Sequence, residues 1–108
     1  MPYRIRTRLS GETWTAWAER EDGSRFGLEC AAPTEAEAAA RLTAWLEWQR
    51  EHTTALEALQ QAERAYHRAV AGQAFATQAG AGAATRESLE LVERARARLD
   101  DVRARRPL

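Results

Sequence analysis

Leu56-Glu57-Ala58-Leu59-Gln60-Gln61-Ala62-Glu63-Arg64-Ala65-Tyr66-His67-Arg68-Ala69-Val70-Ala71 runs directly into Gly72, and Thr85-Arg86-Glu87-Ser88-Leu89 opens a second run of the same character. In the first run Leu56, Leu59, Ala62 or Glu63, Tyr66 and Val70 recur at steps of three and four, the spacing of one stripe along a helix. In the second, Leu89, Val92, Ala95, Leu99 and Val102 make a matching stripe. Neither run can bury its stripe alone, so the spacing predicts an antiparallel helical hairpin. Gly72 is expected to stop the first helix, because a left-handed residue is a common helix end. Beyond it, Gln73 to Gln78, with Phe75 and Thr77, reads as a short strand or a loop. Gly80 and Gly82 within Ala79 to Ala84 point to a flexible tip.

Outward from this unit, residues 3–9 alternate, with Tyr3, Ile5, Thr7 and Leu9 on one face and Arg4, Arg6 and Arg8 on the other. That is the period-two pattern of a half-buried strand. Ser10-Gly11 turns the chain into a second run, residues 12–20, rich in Trp and Thr. Asp22-Gly23 is a strong hairpin signal. A third strand follows, with Phe26, Leu28 and Cys30 sharing a face, and Pro33 closes a three-stranded antiparallel meander over residues 3–30. Thr34-Glu35-Ala36-Glu37 has the form of a capping box, so a helix begins at residue 35. Its stripe, Ala38, Leu42, Trp45 and Leu46, is expected to cover one face of the meander. Trp45 and Trp48 are not both expected inside, since a buried indole N–H needs a partner. Thr54-x-x-Glu57 offers a restart near His52, but no Gly or Pro interrupts residues 35–71, which favours a continuous or bent helix of about 55 Å at about 1.5 Å per residue. The fold class is therefore α+β: meander, long helix, then helical hairpin, organised as residues 1–50 and 51–108.

A chain of 108 residues is large enough for a modest core without staples. A single cysteine, Cys30, excludes an internal disulfide. No signal-peptide or membrane-spanning pattern is legible, so the chain is expected in the cytoplasm. Sixteen basic residues, all Arg, balance sixteen acidic ones, so any attraction to polyanions has to come from local clusters. His52 and His67 have no companion ligands at metal-site spacing, and neither forms a catalytic order with Cys30. Phosphate loops, nucleophile elbows and cysteine pairs are absent. Glu90 with Arg94, Glu93 with Arg96, and Arg96 with Asp100 stand at helical salt-bridge spacing. The expectation is a protein with no enzymatic activity, cofactor or metal. Two basic features remain: the strand face of Arg4, Arg6 and Arg8, and the crowded last helix and tail with Arg94, Arg96, Arg98, Arg103, Arg105 and Arg106. Each is either a solvated charged face or a contact for an acidic surface or DNA phosphates.

The run Ala62 to Thr77, with His67 ahead of Gly72 and then Gln73-Ala74-Phe75, resembles the small head-completion proteins of tailed phages, the protein W family. Gly72-Gln73-Ala74-Phe75 followed by Thr85-Arg86-Glu87-Ser88-Leu89 is similar to related phage head–tail adaptor proteins. The resemblance covers residues 54–105 and contains no reactive group. It implies a structural head–tail connector at the virion neck, held in the host cytoplasm before assembly. As partners it implies the portal protein and neighbouring neck or tail proteins, a homo-oligomeric ring, and non-specific contact with packaged DNA. Gly72, Tyr66, His67 and Phe75 would be its structural positions, and Arg94, Arg98, Arg103, Arg105 and Arg106, with Arg4, Arg6 and Arg8, its partner-binding ones. The segment after Gly72 is short for the family's β-hairpin. The N-terminal half is weakly similar to the half-fold of HicB antitoxins, which implies a regulatory binding module, although that fold's closing strand is missing. A plain helical scaffold is the third reading.

Overall fold

The structure, a computed structural model, describes residues 3–73 and 81–107. In chain order these form β1 (Tyr3–Ser10), β2 (Thr13–Arg20), β3 (Arg25–Ala32), α1 (Glu35–Gln73) and α2 (Ala81–Ala104). The expected α+β architecture is present. The chain divides into two compact units, residues 1–49 with 106–108, and residues 50–105, so α1 supplies side chains to both. The tail joins the first unit rather than the hairpin, and Arg106 there stands 5.6 Å over the Trp48 ring.

In the first unit the sheet order is β1-β2-β3, antiparallel throughout. Gly11, with φ +64°, occupies the first central position of the β1–β2 turn, where a two-residue hairpin loop calls for a left-handed residue. At the β2–β3 turn the Gly23 amide donates to the Arg20 carbonyl (3.0 Å), and the Ser24 amide and hydroxyl both donate to Asp22 Oδ1 (2.9 and 2.6 Å). The inner face gathers Ala16, Ala18, Cys30 and Ala32 against Ala38, Leu42 and Leu46 of α1, with Ile5, Trp14, Phe26 and Trp45 packed at the margin. Small residues on the sheet let the helix approach closely, and Leu42 is fully buried there. The Thr34 cap forms as expected, its hydroxyl accepting from the Glu37 amide at 3.2 Å.

One feature of β3 departs from simple alternation. Between the pairs Ala18↔Phe26 and Ala16↔Cys30, β2 places only Trp17 while β3 places Gly27, Leu28 and Glu29. The bulge keeps Phe26 and Cys30 on the inner face but leaves Leu28 exposed, which corrects its expected place beside them. Gly27 has φ +76°, and a Cβ there would lie 2.9 Å from Trp45 Cζ3, so the indole packs where only glycine leaves room. Trp45 and Trp48 are both half-buried, as the need for indole partners suggests, yet Trp45 Nε1 is buried and unpartnered among the described residues.

In the second unit α1 runs without a break through His52-Thr53-Thr54, so the second capping box is not used. Its core is Ala55, Leu59, Val92, Leu99 and Val102. Polar ties fix the antiparallel order: Arg105 reaches Glu51, Arg103 Nε donates to His52 Nε2 (3.4 Å), and the Thr85 hydroxyl lies 2.7 Å from Gln73 Oε1. Near the reversal the burial differs from the expected stripes. Val70 and Leu89 are exposed, while the neighbouring Ala69 and Ser88 are half-buried. The buried faces are thus rotated by one residue where the core consists of small side chains. Gly72 lies within α1 with no positive φ, so it is not the helix stop that the sequence suggests. α2 starts at Ala81 with Gly82 inside it, so residues 81–84 of the expected tip are helical, while Ala79 and Gly80 lie outside the described residues. The strand-or-loop reading of residues 74–78, Phe75 among them, lies outside the described residues.

Candidate functional site

Alternation along β1 sends Arg4, Arg6 and Arg8 to the sheet face opposite α1, and all three are exposed. The cross-strand register sets Arg4 against Glu19, Arg6 against Trp17 and Arg8 against Thr15, and sets Arg25 on β3 against Glu19. Trp17 is the centre of this outer face. The Arg25 guanidinium lies 4.2 Å from its ring centroid, and its Nε1–H donates to Glu19 Oε2 at 3.1 Å. Glu19 also approaches Arg6 Nε at 3.8 Å, and Glu29 holds Arg25 at 2.7 Å. Among the described residues, Arg4 and Arg8 have no carboxylate within ion-pair distance. A shallow depression of about 270 Å³ is lined by Arg8, Ser10, Thr15, Trp17, Arg25 and Glu29. Arg4, Arg6, Arg8 and Arg25 stand here with Glu19 and Glu29, and Glu21 lines a smaller depression beside Arg4 and Glu19, so a chain without net charge presents a local surface with a small cationic excess.

Alternation along residues 3–9 marks the β1 row of this face in the sequence, whereas Trp17 and Arg25 stand out only once the strands are paired. Their signal is parity: Trp17 shares its side of β2 with Thr15 and Glu19, and the Asp22-Gly23 turn brings Arg25 opposite Glu19.

The C-terminal arginines are used differently. Arg105 binds Glu51 (2.8 Å) and Asp101 (3.2 Å), Arg103 reaches His52, and Arg106 covers Trp48. The Glu51 carboxyl is held below its ordinary range chiefly by the hydrogen bond from Arg105, which is itself pushed up by the same bond. These three side chains are therefore tied within their own units rather than gathered into one free patch, while Arg94, Arg96 and Arg98 are exposed on α2. Of the expected helical ion pairs, none of Glu90–Arg94, Glu93–Arg96 and Arg96–Asp100 closes among the described residues; Arg105–Asp101 closes instead.

His67 is exposed, its ring 5.9 Å from that of the half-buried Tyr66. Burial pushes the Cys30 thiol up, with Arg41 pulling it partly back, which keeps the buried sulfur protonated and poorly nucleophilic. Among the described residues no three His, Cys, Asp or Glu side chains could together hold a metal ion, and no helix is long and apolar enough to cross a membrane. No family model, curated protein or solved structure matches the chain.

Proposed function

We propose that the protein is a non-enzymatic adaptor that binds an anionic macromolecular surface through the outer face of its sheet. The observation that supports this is the pair Arg4 and Arg8, exposed on β1 in the same face as Trp17 and Arg25 and without carboxylate partners among the described residues. Unpaired arginines on a sheet give up few internal contacts when an anion arrives, and their guanidinium forks suit carboxylates and phosphates alike. The head–tail connector implied by the sequence resemblance is the setting we favour, with the portal ring as partner and a ring of subunits as the assembled state. Support for it is now narrower, because Gly72 continues α1 instead of capping it. The test is co-expression with the portal protein of a phage or prophage that encodes the chain. Co-purification that Arg4→Glu with Arg8→Glu abolishes is the expected result; failure of the unaltered chain to co-purify removes the connector setting.

A regulatory binding module is the second reading. What favours it is the β1-β2-β3-α1 order, with the first half of α1 covering the sheet. No strand follows α1 among the described residues, so the HicB-like half-fold is left without its closing strand. A small toxin gene beside this one would favour the module, and terminase and portal genes the connector.

A further inference from the structure

We propose that the outer sheet face takes duplex DNA, with the sheet seated on the major groove. This rests on the reading of that face as the binding surface and names its partner. Neighbouring strands lie about 4.8 Å apart, so three strands measure roughly 10 Å across. The major groove opens to about 12 Å. A sheet seated there has one outer strand near each phosphate backbone and its central strand over the base edges.

The residues are distributed in that way. Arg4, Arg6 and Arg8 line β1 on one flank, Arg25 stands on β3 on the other, and Thr15 and Trp17 occupy β2 between them. Arg4 and Arg8 are four residues apart, or about 13 Å at about 3.3 Å per residue. Phosphates of one strand follow the helical path of the backbone and so lie farther apart than the axial rise of about 3.4 Å per pair, and a span of this size bridges roughly two phosphate steps rather than four.

The central strand favours a duplex over a single strand. A stacking platform needs an open aromatic ring face. Here Arg25 lies over the Trp17 ring, and the Trp17 N–H is engaged by Glu19. Trp17 therefore acts as a support that holds Arg25 in place. Glu19 and Glu29 can release Arg6 and Arg25 to phosphates, whereas Arg4 and Arg8 are ready without exchange. The two glutamates also limit the surplus charge, so binding is moderate and strongly salt-dependent.

The experiment is fluorescence anisotropy of a short, labelled, mixed-sequence duplex titrated with the full chain at salt concentrations from ~50 to ~200 mM. The same strand without its complement and a polyglutamate peptide are titrated in parallel. Each phosphate contact contributes about −0.9 to the slope of log K against log salt. Arg4→Gln with Arg8→Gln should therefore flatten the duplex slope by about 1.8 while leaving the thermal melt in place. Equal duplex binding by the variant, or tighter binding of single strand or polyglutamate than of duplex, overturns the proposal. If the duplex does not bind but portal capture still depends on Arg4 and Arg8, the DNA assignment falls and the adaptor reading stands. If neither depends on them, both fall.

Discussion

The two units of this chain bury their cores by different means. In residues 1–49 a sheet faced with Ala16, Ala18 and Ala32 lets the helix come close, and a bulge at Gly27 receives the Trp45 ring. In residues 50–105 the core is a single seam, Ala55, Leu59, Val92, Leu99 and Val102, which gives way toward the reversal to half-buried small side chains. The first unit is fixed by shape at many points, with its outer face left over for binding. The second is fixed mainly at its open end, where apolar burial and the Arg105–Glu51 tie coincide. Shape fixation spreads the fit over many points of the first unit; in the second the apolar seam gives out toward the reversal, where the Thr85–Gln73 hydrogen bond takes over.

All four tryptophans, Trp14, Trp17, Trp45 and Trp48, lie in the first unit, so fluorescence follows that unit while helical circular dichroism follows both. Leu42→Ala should cost about 2–5 kcal/mol, the range for emptying a buried leucine site, and should shift the fluorescence transition. Leu99→Ala falls in the same range. It should move the helical signal more than the fluorescence. Identical shifts of both probes in both variants would break the comparison and make the chain one cooperative block.

A pair of glycines sharpens the contrast. Gly27→Ala forces a side chain into positive φ against Trp45 and should destabilise by about 1–3 kcal/mol or more. Gly72→Ala should do the reverse. Its Cβ position is open and its backbone helical, so it should gain about 0.5–1 kcal/mol. A loss of stability at Gly72→Ala, measured by chemical denaturation, would restore the helix stop expected from sequence.

These cases show which signals were legible in advance. The alternation of β1, the Asp22-Gly23 turn, the Thr34 cap and the Ala38-Leu42-Leu46 stripe are local or strongly patterned, and each appears where expected. The arginine row of the candidate face followed from the same alternation. Around Val70 and Leu89 the contrast between apolar and small residues is weak, and the helix faces settle one residue away. Gly72 and Gly82 read as punctuation, but each lies inside a helix, next to its last or first residue, with no positive φ. The bulge depends on cross-strand register and on Trp45, some eighteen residues away in the chain, although an isolated glycine in a strand pattern is its usual trace. Arg103 and Arg105 look like free surface charges in the sequence because their partners His52 and Glu51 are brought near only by helix pairing.

The smallest expected effect concerns acid. Asp22 in the first unit and Glu51 in the second are both held below their ordinary values, but by different donors: Ser24, uncharged, and Arg105, charged. A carboxyl whose folded pKa is depressed stabilises the fold above its unfolded pKa and loses that contribution as pH falls through the folded one. For Asp22 the loss begins near the ordinary value of 3.8, and for Glu51 near 4.5, each continuing below. Both groups are exposed, so each effect is small, but salt separates them. The ion pair is screened, with a Debye length of about 3 Å at 1 M against about 10 Å at 0.1 M, while the hydrogen bonds from Ser24 are much less affected. Arg105→Gln should flatten the acid dependence of the helical signal more at low salt than at high salt, where the hydrogen bond to Glu51 is the part that persists. Ser24→Ala should flatten the acid dependence of the tryptophan signal at both. An Arg105→Gln effect of equal size in high salt would show that Arg105 acts on Glu51 through its hydrogen bond, as Ser24 acts on Asp22, and that charge adds nothing at the open end of the hairpin.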